Sequence, residues 1–175
     1  EESRVITKWA LECGFPSVSL DLIFAVPGQT LAELDASLDE LVQVGTHHVS
    51  MYELTFDEGT PFSRRREKGQ LRELEDELIV AMMEKIAERL IESGYERYEV
   101  SSFAKPGHRS LHNQGYWNGL PYLGVGPGAH GLRRLDNDEW ERYQSVVSIK
   151  EWIDYWHSDD ACLRNEWTEG LTSNS

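Results

Sequence analysis

Residues able to do chemistry crowd into one stretch, Leu111 to Gly131, which reads LHNQGYWNGLPYLGVGPGAHG. It holds two of the six histidines, one of the six tryptophans, two of the seven tyrosines and six of the fourteen glycines. A buried core does not need such a mixture. Glycine lets a backbone approach a ligand or take a positive φ. Imidazole, amide and aromatic groups gathered in one loop make a binding surface. His108, His112 and His130 fall within 23 residues. Imidazole ligates metals, heme iron among them, but these three are too scattered for a tetrahedral zinc site. For His112 the residue types alone leave two readings open, a ligand and a hydrogen-bonded loop histidine. Tyr116 and Trp117 favour the ligand, because aromatic faces beside an imidazole suit a flat ring such as a porphyrin.

Asp21 is a second candidate, a carboxylate in the middle of the apolar run VSLDLIF (18–24). Strand alternation puts Val18, Leu20, Leu22 and Phe24 on one face and Ser19, Asp21 and Ile23 on the other. Asp21 is then either a solvated edge-strand group or one facing a ligand or barrel interior. Arg64, Arg65 and Arg66 with Lys68 form the only basic cluster. It reads as a solvated loop ahead of a helix, or as a contact for a carboxylate or phosphate. His47 and His48 open a strand and read as structural. Gly124-Val125-Gly126-Pro127-Gly128 lacks a following helix and contains proline, so it is a weak phosphate loop. There is no G-x-S-x-G nucleophile elbow.

The elements that must position these groups follow from periodicity. Arg4 to Cys13 carries a helical apolar stripe. Val18–Phe24 is a strand. Thr30 and Glu33 make a capping box for a helix over Leu31–Val44, closed by Gly45. His48–Thr55 is a second strand. Glu73–Ser93 is a long amphipathic helix in which Met82 and Met83 fill the core. Glu96–Phe103 is a third strand, and Pro121–Val125 a short fourth. Ser148 caps a helix over Ile149–Trp156. The tail, Thr168 to Ser175, reads as polar and frayed. Alternating helices and strands imply an α/β fold with a parallel sheet and outer helices.

Composition narrows the function classes. The 175 residues suit about one domain. Seventeen basic against 31 acidic residues give a net charge of −14. That argues against nucleic acid, which is bound through basic phosphate contacts, and against anionic membrane surfaces. No apolar run approaches the roughly 20 residues of a membrane helix, so no membrane anchoring is expected. Glu1-Glu2-Ser3-Arg4 is not a signal peptide. Cys13 and Cys162 lie far apart and share no ligand spacing, which fits a reducing, cytoplasmic setting.

Several segments, in order, resemble the radical SAM coproporphyrinogen III oxidase-like family. Asp21-Leu22-Ile23-Phe24-Ala25-Val26-Pro27-Gly28-Gln29-Thr30 resembles that family's D-L-I-[YF]-G-L-P-x-Q-T segment. Ser50–Thr55 and Glu58–Pro61 resemble its next strand and loop. Tyr98–Gly107 and His112-Asn113-Gln114-Gly115-Tyr116-Trp117 resemble the heme chaperone branch, HemW, and Gly124–Gly131 continues the match. H-N-x-x-Y-W separates that branch from the oxidases.

The resemblance implies a partial TIM-type (βα) barrel that, when whole, holds a [4Fe–4S] cluster and S-adenosylmethionine. It implies S-adenosylmethionine contacts at Asp21 and, less directly, at Thr55. It makes His112 the candidate ligand of heme iron, with Asn113, Tyr116 and Trp117 shaping the heme site. The cluster motif C-x-x-x-C-x-x-C is absent, and Cys13 and Cys162 cannot replace three thiolates at close spacing. Ala25 stands where the family has glycine, and Val26 where it has leucine.

The chain is therefore expected to be an internal piece of a longer protein. Residues 1–145 would be the C-terminal half of the barrel with the H-N-x-x-Y-W loop, and 146–175 the start of a small helical region. The leading functional expectation is a chaperone that binds heme and passes it to an acceptor protein. The alternatives are an oxygen-independent coproporphyrinogen III oxidase or dehydrogenase, and an inactive barrel fragment.

Overall fold

The computed structural model describes residues 2–157 and 165–171; Cys162 lies outside them. The chain forms two compact units, residues 1–110 and 111–175.

The first unit runs α1 (Glu2–Glu12), β1 (Ser19–Phe24), α2 (Leu31–Val44), β2 (His48–Glu53), α3 (Pro61–Glu67), α4 (Asp76–Glu92), β3 (Glu96–Arg97), β4 (Ser102–Ala104). Thr30 caps α2 as its sequence requires: its hydroxyl accepts the Glu33 N–H, while the Glu33 carboxylate accepts the Thr30 N–H. Gly45 ends the helix in the left-handed conformation at φ 73. Leu34, Leu38 and Leu41 of α2 meet Met82, Ile86 and Leu90 of α4 over Phe24, Val49, Met51 and Phe103 of the sheet, and all are buried. This continuous apolar layer is the main stabilising term of the unit.

The sheet is α/β but not wholly parallel. Its order is β1-β2-β4-β3; β1 and β2 are parallel, while β4 runs antiparallel to both β2 and β3. The expected single strand over Glu96–Phe103 is a hairpin. The Tyr98 N–H donates to the Ser102 carbonyl, and the Arg97 guanidinium donates to the carbonyls of Glu99 and Val100. These bonds close a tight turn that sends β4 back between β2 and β3. The arginine cluster is not in a loop either: Thr60 caps α3, Pro61 opens it, and Arg64–Arg66 form its last turn.

The second unit runs α5 (Leu111–Trp117), β5 (His130–Arg134), β6 (Trp140–Ser145), α6 (Ile149–Trp156), β7 (Asn165–Leu171), with an antiparallel sheet β5-β6-β7. Ser148 caps α6 as expected. The strand expected at Pro121–Val125 is reduced to one bridge, Tyr122 to Leu132. The expected helical C-terminal region carries β7, and residues 168–171 of the expected frayed tail pair with β6. That pairing joins 140–145 to 165–171 across the expected boundary at 145/146; the observed division is at 110/111.

Candidate functional site

The two faces of the first sheet differ in chemistry. Across β1 and β2, Ser19 pairs with His48, Asp21 with Ser50 and Ile23 with Tyr52; across β2 and β4, Ser50 pairs with Ser102. Directly paired residues share a face. The face away from α2 and α4 therefore carries polar groups at Ser19, Asp21, His48, Ser50 and Ser102 and apolar ones at Ile23 and Tyr52, and Asp21 lies on it at the sheet's edge, exposed. Asp21 is thus an exposed carboxylate on an edge strand, as the first of its two sequence readings has it.

Three segments converge on that face. His48 is buried at 5% exposure. Its Nδ1 lies 2.8 Å from Ser19 Oγ and its Nε2 2.7 Å from Tyr98 Oη. Tyr98 Oη also accepts the Ser110 N–H. Burial pushes the His48 pKa below its ordinary value, against the opposing pull of the Asp21 and Glu99 carboxylates. Ser102 Oγ donates to Glu99 Oε2 at 2.7 Å. No sequence spacing announces this network, because Ser19, His48 and Tyr98 come from three separate elements. The strand parity of Ser19 with Asp21, and of His48 with Ser50, was the available signal.

Thr55 stands two residues past β2. It lines a cavity of about 230 Å³ with Ala25, Glu53, Glu73 and Asp76, and its hydroxyl donates to Asp57 at 3.5 Å. Asp21 pairs with Ser50, so Thr55 is five residues further on, about 16 Å at the strand rise. The fold does not bring Asp21 and Thr55 together; one extended ligand would be needed to touch both.

In the second unit the expected loop histidine is helical. His112 and Tyr116 are one turn apart on α5 and meet edge to face, with ring centroids 4.6 Å apart. Tyr116 meets Tyr122 in the same way at 4.5 Å. The three rings form a ladder with the exposed imidazole at its end. Asn113 and Trp117 share the neighbouring face of α5; Asn113 is half-buried and Trp117 is 76% exposed. Tyr122 was missed in the sequence because only the fold closes the gap between it and Tyr116.

The other two histidines of the 108–130 group have surroundings of their own. His108 belongs to the first unit and stacks on His47, while His130 is exposed on β5. Among the described residues no three His, Cys, Asp or Glu side chains converge as a metal site. Two of the glycines serve the fold rather than a ligand. A Cβ on Gly131 would stand 2.2 Å from the Tyr143 ring, and one on Gly124 would stand 2.1 Å from the His130 carbonyl oxygen. Among the described residues no helix is long and apolar enough to cross a membrane.

No family model matches the chain. Radical S-adenosyl methionine domain-containing protein 1 of Danio rerio is 45% identical over 114 residues, 65% of this chain and 26% of that protein. The heme chaperone HemW of Mycobacterium tuberculosis is 42% identical over 122 residues, 70% of this chain and 31% of the relative. HemW of Escherichia coli is 34% identical over 131 residues, 75% and 34% of the two chains. The chain thus spans about a quarter to a third of the length of these relatives. In fold it resembles the Escherichia coli coproporphyrinogen III oxidase HemN, a radical SAM enzyme, with a TM-score of 0.73 over 97% of this chain and 40% of that one, at 18% identity. With HemW proteins from several bacteria at 33–42% identity over 69–79% of its length and a radical S-adenosyl methionine domain protein at 45%, the chain belongs to the HemW family of radical SAM proteins.

Proposed function

We propose that this chain is the heme-binding portion of a HemW-like chaperone, a protein that holds heme and delivers it to an acceptor protein. The observation that carries this reading is the ring ladder of His112, Tyr116 and Tyr122 on and beside α5. Its exposed imidazole is an axial ligand for heme iron, and the aromatic groups offer edges and faces to the porphyrin. Asn113 and Trp117, one face over, complete the site.

In the same reading β1-α2-β2 and α4 are an arc of a TIM-type barrel whose polar face lines the interior. Asp21 there holds S-adenosylmethionine, with Thr55 as a second, distant contact. The residues of this chain do not fit the [4Fe–4S] cluster, since Cys13 is exposed and has no second thiolate beside it among the described residues. The cluster therefore belongs to other parts of the longer protein. The place of action is the cytoplasm.

A hemin titration followed by visible absorbance tests this. The expected result is a sharpened Soret band that saturates at a single equivalent and is lost in His112→Ala. Equal, unsaturating binding by both proteins overturns the reading. Turnover of coproporphyrinogen by the full-length protein would replace the chaperone with an oxidase.

A further inference from the structure

The segment Lys105–Ser110 follows β4 and leads into α5, and it is strapped to the start of β2. The Lys105 N–H donates to the His47 carbonyl at 2.9 Å. The Lys105 ammonium donates to the Gly45 carbonyl at 3.0 Å and lies over the Tyr95 ring. His108 stacks on His47, with centroids 4.4 Å apart and planes inclined by 30°. His47 in turn accepts the backbone N–H of Val18 on its Nδ1, at 3.2 Å, just ahead of β1.

This last bond makes His47 unlike its neighbour. The partners of His48 are two hydroxyls, which can accept or donate, so His48 keeps both bonds in either protonation state. The partner of His47 Nδ1 is an amide, which only donates. A proton on that nitrogen sets N–H against N–H and brings a cation toward Lys105 and His108. Those two, both on the strap, are the charged and titratable groups that act on His47. Burial first, then His108 and Lys105, hold its pKa below the ordinary 6.5.

We propose that His47 and His108 form an acid-releasable latch, which holds the Lys105–Ser110 strap on the start of β2 while His47 is neutral and lets it go when His47 is protonated. The unlatched state binds the proton more tightly than the latched one. Latch stability is therefore full above the free value of 6.5 and falls as the pH drops below it. The Arg109–Glu96 ion pair, the Arg109 guanidinium over the Tyr98 ring and the Ser110 N–H bond to Tyr98 remain as further ties, so release frees the strap's first half before the residues next to α5. The inference is independent of heme binding, and its test is run without hemin.

Amide hydrogen exchange and histidine NMR titration of this chain between pH 7.5 and 5 provide that test. Below the free value, protection at Val18 and His108, corrected for intrinsic exchange, is expected to fall by up to about tenfold per pH unit, the limit for one proton. His47→Asn keeps an acceptor near the Nδ1 position without a titrating group, and should make Val18 protection flat with pH. His108→Phe keeps an aromatic partner without the charge, and should move the release to lower pH. A His47 that titrates at or above its ordinary value overturns the latch. So does an unchanged pH profile at Val18 in both variants, or, if His47→Asn fails to fold, in His108→Phe alone.

Discussion

The first unit is held by a layer of long apolar side chains, and the second by close approaches that only glycine permits. In the first, α2 and α4 press leucine, methionine and isoleucine onto Phe24, Val49, Met51 and Phe103. In the second, the Gly131 backbone lies against the Tyr143 ring, and Tyr143 Oη accepts the Gly124 N–H at 3.2 Å. Tyr143 is 1% exposed and takes the place that a whole helix face takes in the first unit. A layer of apolar side chains tolerates a lost methylene by partial relaxation. A backbone packed against a ring has no such slack. The same residue type, glycine, therefore carries different meanings in the two units: a helix terminator at Gly45, and a packing surface at Gly131.

Gly131→Ala is the largest break of this contrast. A methyl group 2.2 Å from the Tyr143 ring must push the ring out or bend β5. Overpacking of this kind costs about 1–3 kcal/mol, and the upper end is expected here because the obstacle is a buried ring rather than a flexible tip. Hydrogen exchange should show the loss in the β5 and β6 amides. Full protection there in the variant would mean that Tyr143 has another rotamer available and that the close approach is not obligatory.

How much of this was legible in the sequence follows the same division. Helices α1, α2, α4 and α6 and strands β1 and β2 announced themselves by period or caps, because each is long enough for an apolar pattern to repeat; in α2 and α4 that stripe is buried, whereas in α1 only Thr7 and in α6 no residue is buried. The capping box of Thr30 and Glu33 is a short-range device and reads directly. The hairpin β3–β4 did not, since β3 has two residues and β4 three, too few for alternation to show. Hairpin β5–β6 was also missed, although Asp136-Asn137-Asp138 is a turn signal. Asp138 indeed takes φ 64, and Asn137 Oδ1 accepts the Glu139 N–H. Of the candidate site, His112, Asn113, Tyr116 and Trp117 were legible by residue type and by the H-N-x-x-Y-W resemblance, whereas the helical turn that brings His112 onto Tyr116 was not. Tyr122 and the Ser19–His48–Tyr98 network depend on tertiary contacts and left no local trace.

Thr30→Ala sharpens the legible side. It removes the side-chain acceptor of the Glu33 N–H and should destabilise the first unit by about 1 kcal/mol, read as a lower denaturant midpoint. It should also change a pH dependence. Backbone and side-chain hydrogen bonds from Thr30 hold the Glu33 pKa below 4.5. Glu33 therefore contributes stability that is present above pH 4.5 and is lost as the pH falls below it. The alanine variant keeps the backbone bond but loses the hydroxyl one, so its acid loss should be shallower. An unchanged midpoint would mean that water satisfies the first turn of α2 equally well.

The smallest effect concerns a residue that obeys neither rule. Ala25 is buried among the apolar residues of the first unit, yet its φ is 60, the left-handed region that glycine favours. For an alanine that conformation costs about 1–2 kcal/mol. Ala25→Gly relieves this cost. Against it stand a lost buried methyl, about 0.8 kcal/mol, and the greater freedom of glycine in the unfolded chain, about 0.5–1 kcal/mol. These terms nearly cancel, so the midpoint of unfolding should hardly move. Ala104→Gly is the control. Ala104 is fully buried in β4 and has no positive φ to relieve, so only the two costs remain and sum to about 1.5 kcal/mol. The difference between the two variants, rather than either value alone, measures the backbone strain at the turn after β1. If both lose stability equally, Ala25 is an ordinary core alanine and the turn holds no strain.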